Sequence, residues 1–385
     1  MDFAFSPEEE AFRGEVRAFL REELRERPSG GLDAWRFHRG FIQKLAERGW
    51  LTLGWPAEWG GQGAGHMKQL VYNEEVAYHD APGVDLASDR VGPTIMLYGT
   101  DEQKQRFLPP ITRGEAVWCQ GFSEPGSGSD LASLQTRAVQ DGDEFVVNGS
   151  KIWTSLAHLA EWMILLARTD PDAPKHKGIS YFLLDMKSPG ITIRPLVDMA
   201  GRHTFNQVFF DNVRVPRDAL LGELNRGWYV ATSTLDFERS GIQRVIGSYR
   251  TYEQLVAYAR ETPRNGRSLL ADPLVRGRLA ELKIEFEVGR ALSYRVAWMQ
   301  SKGQIPNYEA SVAKMYGSEL AQRLAIAGLR ILGLGGQLAP GSPWAPLAGS
   351  IETLYLTSAA LTVAAGTSEV MRNIIAGRGL GLPRD

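Results

Sequence analysis

Cysteine is almost missing from this chain of 385 residues, which contains only Cys119. A single cysteine excludes an intrachain disulfide and favours a reducing compartment, so we expect a cytoplasmic protein. Long apolar runs are missing as well, since none approaches the ~20 residues of a membrane-spanning helix. Acidic residues arrive at once at the N-terminus, which argues against a signal peptide. We therefore predict no membrane insertion.

An excess of charge is also missing, because 43 Lys and Arg residues face 45 Asp and Glu residues and leave a formal net charge of −2. This balance does not favour nucleic acid or an anionic membrane surface as a partner. The six histidines lack the spacing of metal ligands, and no metal site is predicted. At this length, with 43% hydrophobic residues, two or three globular domains are expected.

The first region, residues 1–115, is predicted to be a helical domain. The segment Ser6-Pro7-Glu8-Glu9 has the pattern of a capping box with proline at the first helical position. Apolar residues then recur at the spacing of one helix face. The capping pattern returns in Thr100-Asp101-Glu102-Gln103, and Pro109-Pro110 is expected to end the helix that follows.

The second region, residues 116–222, changes to short β-rich runs between turn residues. These runs occupy positions 145–147, 163–166, 181–184, 191–193 and 208–210. Regular short strands with such turns predict an antiparallel sheet or barrel. Strands and helices do not alternate here, and no Gly-x-Gly-x-x-Gly follows a strand, so a Rossmann unit is not expected.

The third region, residues 223–385, returns to helical periodicity. One apolar face is marked by Val275, Leu279, Leu282 and Phe286, with charged residues elsewhere on the same helix. Several long helices of this kind predict a bundle. The order of helices, sheet and helices predicts an α+β protein with a β-domain in the middle.

Residues 118–155 carry the clearest functional signal. Gly121 to Asp130 form a turn-rich loop of small and hydroxyl residues, and Trp153-Thr154-Ser155 places an aromatic beside two hydroxyls. Small residues let a ligand approach the backbone closely, hydroxyls supply hydrogen bonds, and an aromatic ring supplies a flat wall. This combination predicts a large, flat, partly polar cofactor that the protein has to orient.

Four motifs in the correct order resemble those of the acyl-CoA dehydrogenase family. They are Tyr-Gly-Thr-Asp-Glu-Gln-Lys at 98–104, Ser-Glu-Pro with Gly-Ser-Asp at 123–130, Asn-Gly-Ser-Lys-Ile-Trp at 148–153, and Gly-Thr-Ser-Glu-Val-Met-Arg at 366–372. The resemblance covers nearly the whole chain. It implies an N-terminal helical domain, a middle antiparallel β-domain and a C-terminal four-helix bundle, usually assembled as a tetramer.

The resemblance implies FAD as the cofactor, bound between the β-domain and the C-terminal helices. The positions that match its flavin-facing residues are Gln120, Phe122, Ser123, Trp153, Thr154 and Ser155. Thr367 and Ser368 match a helix start that binds FAD, where free N–H groups and the helix dipole favour phosphate. The same pair also fits a plain N-cap. Ser129 is implied to lie near the thioester substrate.

In this family, further FAD contacts come from a neighbouring subunit, and here the chain departs from the pattern. Either Arg260 or Arg264 would meet the pyrophosphate, and Arg264 is the residue we predict. Asn265-Gly266 replaces the usual Phe-Gly, so an aromatic packing partner is lost. Arg330 stands where Gln is usual.

The catalytic base is the main departure from the family pattern. In most members a carboxylate that removes the α-proton immediately precedes the Gly-Thr-Ser motif, and here that position is Ala365. Isovaleryl-CoA and long-chain acyl-CoA dehydrogenases carry the base in an earlier helix, and Glu238 matches that place. Its neighbours Asp236 and Arg239 match residues that contact CoA. The alternative is that Glu238 is an ordinary surface carboxylate.

Three functions remain open from the residues. The first is FAD-dependent α,β-dehydrogenation of a branched, long or bulky acyl-CoA, with an electron-transfer flavoprotein as the partner that accepts the electrons. The second is a non-catalytic or half-site subunit of a heterotetramer, as in similar bacterial steroid-type enzymes in which two related chains pair. The third is a flavin monooxygenase or oxidase on the same fold. A homotetramer remains an alternative to the heterotetramer.

Overall fold

The computed structural model describes residues 4–28, 31–238 and 241–383, except for the side chains of 235–238. The chain divides into two compact units. We call Met1–Arg27, Gly65–Ala81 and Arg239–Asp385 the helical unit, and Pro28–Ala64 with Pro82–Glu238 the sheet unit. None of the helices in the described residues is long and apolar enough to cross a membrane.

The α-helices in chain order are α1 (Pro7–Glu23), α2 (Gly31–Glu47), α3 (His66–Tyr78), α4 (Gly92–Tyr98), α5 (Asp101–Thr112), α6 (Gly227–Glu238), α7 (Gln243–Ile246), α8 (Tyr249–Glu261), α9 (Pro273–Ser301), α10 (Tyr308–Leu332), α11 (Ser350–Leu361) and α12 (Ser368–Ile374). The strands are β1 (Trp118–Gly121), β2 (Arg137–Asp141), β3 (Glu144–Lys151), β4 (Trp162–Arg168), β5 (Ile179–Asp185), β6 (Ile191–Val197), β7 (His203–Pro216), β8 (Pro263–Arg264) and β9 (Arg267–Ser268).

The helical unit is built around α8, α9, α10 and α11, which share one apolar core. Leu279, Leu282 and Phe286 of α9 are buried in it, as the periodicity predicts. Helices α1 and α3 belong to the same unit although they come from the start of the chain. The predicted capping box of α1 is confirmed: Ser6 Oγ accepts from the Glu9 N–H at 3.2 Å, and Glu9 Oε2 accepts from the Ser6 N–H at 2.8 Å.

Two buried glutamates of α3, Glu74 and Glu75, connect α1, α3 and α9 within the helical unit. Arg13 Nη1 lies 2.7 Å from Glu74 Oε2, and Arg17 Nη2 lies 2.7 Å from Glu75 Oε1. The Tyr294 hydroxyl donates to Glu74 Oε2 at 2.8 Å. Burial alone would raise the pKa of the Glu75 carboxyl, but Arg17 and Arg13 outweigh it and hold that pKa below its usual value. These contacts therefore tie α1 and α9 to the two glutamates of α3.

The sheet unit contains a seven-stranded sheet in the order β1-β4-β2-β3-β7-β6, with β5 also paired to β4. Strand β4 runs parallel to β1 and to β2, and the other pairings, including that of β4 with β5, are antiparallel. All five β-rich runs predicted from the sequence lie inside β3 to β7. The strands β4 and β5 are buried along nearly their whole length, which explains their continuous apolar runs.

The expectation that Pro109-Pro110 ends helix α5 is wrong. The helix begins at Asp101 after the predicted Thr100 capping box and continues to Thr112, with both prolines inside it. The residues four positions earlier, Gln105 and Arg106, are exposed, so water can satisfy the carbonyls that lose their proline partners. Phe107, Leu108 and Ile111 are buried on the other face, and this packing carries the helix past the prolines.

Gly227, the first residue of helix α6, lies directly against the backbone of β5. A Cβ at this position would lie 2.5 Å from the backbone nitrogen of Tyr181 in β5. We expect Gly227→Ala to lower the free energy of unfolding by about 1–3 kcal/mol, because backbone cannot move aside as a flexible side chain can. Urea unfolding would measure it. As a control, Gly277→Ala in α9, where nothing lies within 4 Å, should stabilise by up to about 1 kcal/mol. Equal stability of Gly227→Ala and wild type would contradict this reading.

Candidate functional site

Two segments of the sheet unit that are far apart in the sequence lie side by side. One is the turn after β1, residues 122–124, and the other is the end of β3 with residues 152–155. The Ile152 N–H donates to the Ser123 carbonyl at 2.9 Å. The ammonium of Lys151 donates to the Phe122 carbonyl at 3.0 Å across 29 positions of sequence. Phe122 is buried and anchors the turn, whereas Ser123 is half-buried and remains partly accessible to solvent.

A buried ion pair fastens these two segments together. Lys151, which is fully buried, donates to Glu124 Oε1 at 2.7 Å. The Glu124 carboxylate also accepts from the backbone N–H groups of Gln135 at 2.6 Å and Thr136 at 2.9 Å. Burial would raise the pKa of Glu124, but Lys151 and these N–H groups outweigh it and lower that pKa. Burial lowers the pKa of Lys151 to about 8, and Glu124 partly offsets the effect.

Trp153 is held in an unusual conformation at the end of this arrangement. Its φ is +59° and its side chain is 60% exposed, and Leu156 three positions later has a φ of +57°. Left-handed backbone costs about 1–3 kcal/mol for a bulky residue and is concentrated at ligand sites. The edge of Phe205 supports the indole, with ring centroids 6.0 Å apart and planes at 90°. A flat aromatic face is therefore fixed and open to a ligand.

The two hydroxyl residues after Trp153 have different surroundings. Thr154 is buried, and its backbone N–H donates to the Asn206 carbonyl at 3.0 Å. Its Oγ1 has no hydrogen-bond partner among the residues that the structure describes. Ser155 is exposed, and Gln120 in β1 is half-buried. A buried hydroxyl without a partner fits a ligand that brings its own polar atoms, as a flavin ring does.

A groove of about 650 Å³ opens beside the same turn. It is lined by Glu124, Pro125, Gly126, Ser127, Ser133, Gln135, Thr136, Gly149, Ser150 and Phe209. Glu124 is the one charged residue in this lining, and the Lys151 ammonium pairs with it. The groove therefore offers hydroxyl and backbone groups to a polar ligand. Ser129 is exposed on the same loop but is not part of the lining.

In the helical unit, Thr367 and Ser368 begin helix α12. Thr367 is the N-cap, and its Oγ1 accepts from the Val370 N–H at 3.1 Å. Ser368 is buried, and its Oγ finds no hydrogen-bond partner in the described parts of the chain. The residues before them are left-handed, with a φ of +58° at Ala365 and +92° at Gly366. Both the predicted cap and a free hydroxyl are thus present at this helix start.

Arg264 lies in a small hairpin of the helical unit formed by β8 and β9. Asn265 and Gly266 form its two-residue loop, with φ of +55° and +75°. Two positive φ values are typical of the Asn-Gly turn that joins hairpin strands. The Arg264 guanidinium donates to the Ile331 carbonyl at 3.2 Å. The Asn265-Gly266 dipeptide is itself a hairpin signal, and this hairpin was not predicted.

Glu238 is the last residue of α6, and hydroxyl pairs fix this helix against α4. Thr234 Oγ1 lies 2.9 Å from Thr94 Oγ1 in a buried contact, and Ser233 Oγ lies 2.7 Å from the Tyr98 hydroxyl. These contacts were not predicted, because they join residues 140 and 135 positions apart. The side chains of Glu238 and Asp236, and the whole of Arg239, lie outside the described residues.

The N-terminal, middle and C-terminal domains of acyl-CoA dehydrogenases match residues 6–115, 119–213 and 225–380. The acyl-CoA dehydrogenase IpdE1 of Mycobacterium tuberculosis is 38% identical over 98% of each chain. The structure described as the Tcur3481-Tcur3483 steroid ACAD matches with a TM-score of 0.90 and 38% identity over 100% of both chains. The ChsE4-ChsE5 complex from Mycobacterium tuberculosis matches with a TM-score of 0.91 and 37% identity over 100% of both chains.

Proposed function

We propose a function for this chain on the premise that it belongs to the acyl-CoA dehydrogenase family. The proposed reaction is the dehydrogenation of a bulky acyl-CoA thioester between Cα and Cβ. The family consists of FAD-dependent oxidoreductases that act on CH–CH groups, so the enzyme class and the cofactor follow from membership. When bound, FAD supplies the acceptor for the hydride that leaves Cβ. The observation that carries the proposal is the strained, exposed Trp153 beside the Thr154 hydroxyl, which has no hydrogen-bond partner within the described part of the chain.

The residues around Trp153 suit a flavin ring. Its indole would lie against the ring, and the hydroxyls of Thr154, Ser123 and Ser155 would donate to the polar edge. Phe122 and Gln120 complete the predicted set. The turn that carries Ser123 is held in place because Lys151 donates to the neighbouring Phe122 carbonyl, and this supports a preformed site. The Thr367 and Ser368 hydroxyls and Arg264 are the groups of the helical unit that we assign to FAD.

Glu238 is the proposed base. The α-proton beside a thioester is only weakly acidic, so a carboxylate has to stand at Cα and take it. Alanine at position 365 cannot do so, which leaves Glu238 as the matching carboxylate. Helix α6, which ends at Glu238, is fixed by Gly227 at its start and by the buried Thr94–Thr234 contact. Asp236, Arg239 and Ser129 are assigned to the CoA and thioester parts of the substrate.

We propose a polycyclic, steroid-type acyl group as the substrate. Ala364 and Ala365 are small, and a solved relative is described as a steroid ACAD. We expect turnover of a steroid-type acyl-CoA to exceed that of butyryl-CoA by at least about tenfold in kcat/KM, since each 1.4 kcal/mol of extra transition-state contact gives a factor of ten. A panel of acyl-CoA esters with a dye acceptor measures this. A strong preference for straight butyryl-CoA over every bulky ester would reject the assignment.

A second subunit is the proposed structural partner. Large apolar side chains of the helical unit are exposed, among them Leu334 at 85%, Trp344 at 81% and Val363 at 63%. Exposed apolar surface of this kind is typical of protein interfaces. The similarity to the ChsE4-ChsE5 complex favours a related chain over a second copy. An electron-transfer flavoprotein is the proposed acceptor of the electrons.

The visible spectrum of the purified chain tests the proposed function. A flavin band that is bleached by an acyl-CoA supports dehydrogenation by this chain. A colourless chain that acquires flavin only with a related subunit supports the half-site alternative, which Ala365, Asn265 and Arg330 favour. Flavin that is reduced by NAD(P)H and rapidly reoxidised by air would instead indicate an oxidase or a monooxygenase.

A further inference from the structure

We propose that His158, His203 and Asn206 form a positioning network that locks the Thr154 peptide in place and makes the hold of residues 153–155 on FAD sensitive to acid. The inference rests on the proposed function, because it gives a role to residues behind the segment assigned to the flavin. It concerns side chains that neither the motifs nor the base assignment uses.

Asn206, which is fully buried in β7, holds Thr154 by three hydrogen bonds. The Thr154 N–H donates to the Asn206 carbonyl, and the Asn206 N–H donates to the Thr154 carbonyl, each at 3.0 Å. The side-chain Nδ2 of Asn206 donates to the same Thr154 carbonyl, also at 3.0 Å. Thr154 is therefore held by one residue, through two backbone hydrogen bonds and one from the Asn206 side chain.

The third of these bonds determines how the amide is oriented. Nδ2 has to face the Thr154 carbonyl, because Oδ1 in its place would set two acceptors against each other. Oδ1 then lies 2.8 Å from His203 Nε2, which must carry a proton and donate. Nδ2 also lies 3.1 Å from His158 Nδ1, which must be unprotonated and accept. The network thus requires a neutral His158.

Protonation of His158 opposes this arrangement in two ways. It places an N–H of the ring against the donating Nδ2 of Asn206, and the amide cannot turn over without losing Thr154. It also puts charge next to His203, whose ring is stacked on that of His158 with centroids 4.1 Å apart. The charged groups on the hairpin before His203 are Asp198 and Arg202, which pair with each other at 2.9 Å.

The pKa of His158 lies below its usual value, because burial lowers it and His203 lowers it further, while Asn206 partly offsets them. The usual value is about 6.5. A folded-state pKa below the unfolded one means that the neutral network is complete above about pH 6.5 and is weakened as the pH falls below it. Loss of the Asn206 side-chain bond would leave Thr154 held by its two backbone bonds alone, and the support behind the left-handed Trp153 would be weaker.

The test is the dissociation constant of FAD as a function of pH, measured by the quenching of flavin fluorescence. We expect wild type to bind FAD about threefold more weakly at about pH 5.5 than at about pH 7.5, because a histidine whose pKa lies below about 6.5 is only partly protonated at pH 5.5, and bound FAD lowers that pKa by about one further unit. His158→Asn, which keeps an acceptor where Nδ1 stands but does not titrate, should lose this difference. His176→Asn, an exposed histidine beside Trp228, should keep it.

A second readout does not depend on FAD. Histidine NMR of the FAD-free protein should give His158 a pKa below about 6.5. Equal pH dependence of FAD binding in wild type and His158→Asn would overturn the proposal, and so would a His158 that titrates at or above its usual value. A protein that binds no FAD at any pH but has a depressed His158 pKa would refute the proposed function and leave the network standing.

Discussion

Glu238→Gln is expected to lower kcat by about 10²–10⁴-fold, because a glutamine cannot accept the α-proton of the substrate. The visible absorption band of bound flavin should be the same in this variant as in wild type, since Glu238 is not among the residues assigned to FAD. Glu223→Gln, an exposed carboxylate shortly before helix α6, is the matched control and should leave kcat unchanged. Steady-state kinetics with the best acyl-CoA of the panel provide the measurement.

A second-site variant makes this test of the base sharper. Position 365 carries the base in most of the family, so Ala365→Glu in the Glu238→Gln background should recover at least about tenfold of the lost kcat. Ala365 already has a left-handed backbone with a φ of +58°, so glutamate at this position would adopt the same conformation as the alanine that it replaces. Turnover near the wild-type level in Glu238→Gln alone would reject Glu238 as the base. A loss of flavin in that variant would instead indicate a structural role.

Lys151→Met is expected to lower the free energy of unfolding by about 3–5 kcal/mol, because it leaves the Glu124 carboxylate buried without its counter-ion. The ammonium also holds the Phe122 carbonyl, so weaker FAD binding should accompany the loss of stability. Urea unfolding and FAD titration measure the two effects. Since the pKa of Glu124 is depressed, the contribution of the pair is present at neutral pH and is lost as the pH falls through that pKa.

An exposed ion pair on the same unit provides the control for Lys151. Lys175 lies 2.8 Å from Asp130, and the two side chains are 61% and 59% exposed. Lys175→Met should cost about 0–1 kcal/mol, as water screens such pairs. Adding Glu124→Gln to Lys151→Met should recover part of the stability, because it removes the buried charge. Equal stability of the Lys151 and Lys175 variants would contradict a structural role for the buried pair.

The local parts of the fold were predictable because their causes lie within a few residues. The capping boxes at Ser6 and Thr100 and the five β-rich runs all depend on neighbours in the sequence, and the structure confirms them. The error at Pro109-Pro110 has the opposite origin. Proline signals a break locally, but the burial of Phe107, Leu108 and Ile111 overrides it, and burial depends on the rest of the unit.

The residues of the candidate site also fall into a group that the sequence predicts and a group that it does not. The motif residues from Gln120 to Ser155 could be selected from residue types and resemblance, and their roles stay predictions. The groups that support them could not be selected. Lys151 and Glu124 are 27 positions apart, and Asn206 and Thr154 are 52 apart, so only the folded chain shows that they meet. The Asn-Gly turn at 265–266 is the exception, since its signal was present in the sequence.

The sequence by itself determined the class of fold, the order of helical and β regions, and the family with its cofactor, because periodicity, capping and motif order are properties of short segments. Only the tertiary structure decided that α1 and α3 share a unit with the helices after residue 239. It also decided that a buried lysine joins the turn after β1 to the end of β3, and that the backbone at Trp153 has a left-handed conformation. These features arise from contacts between segments that are distant in the sequence. Such contacts contribute to stability only once the chain has folded.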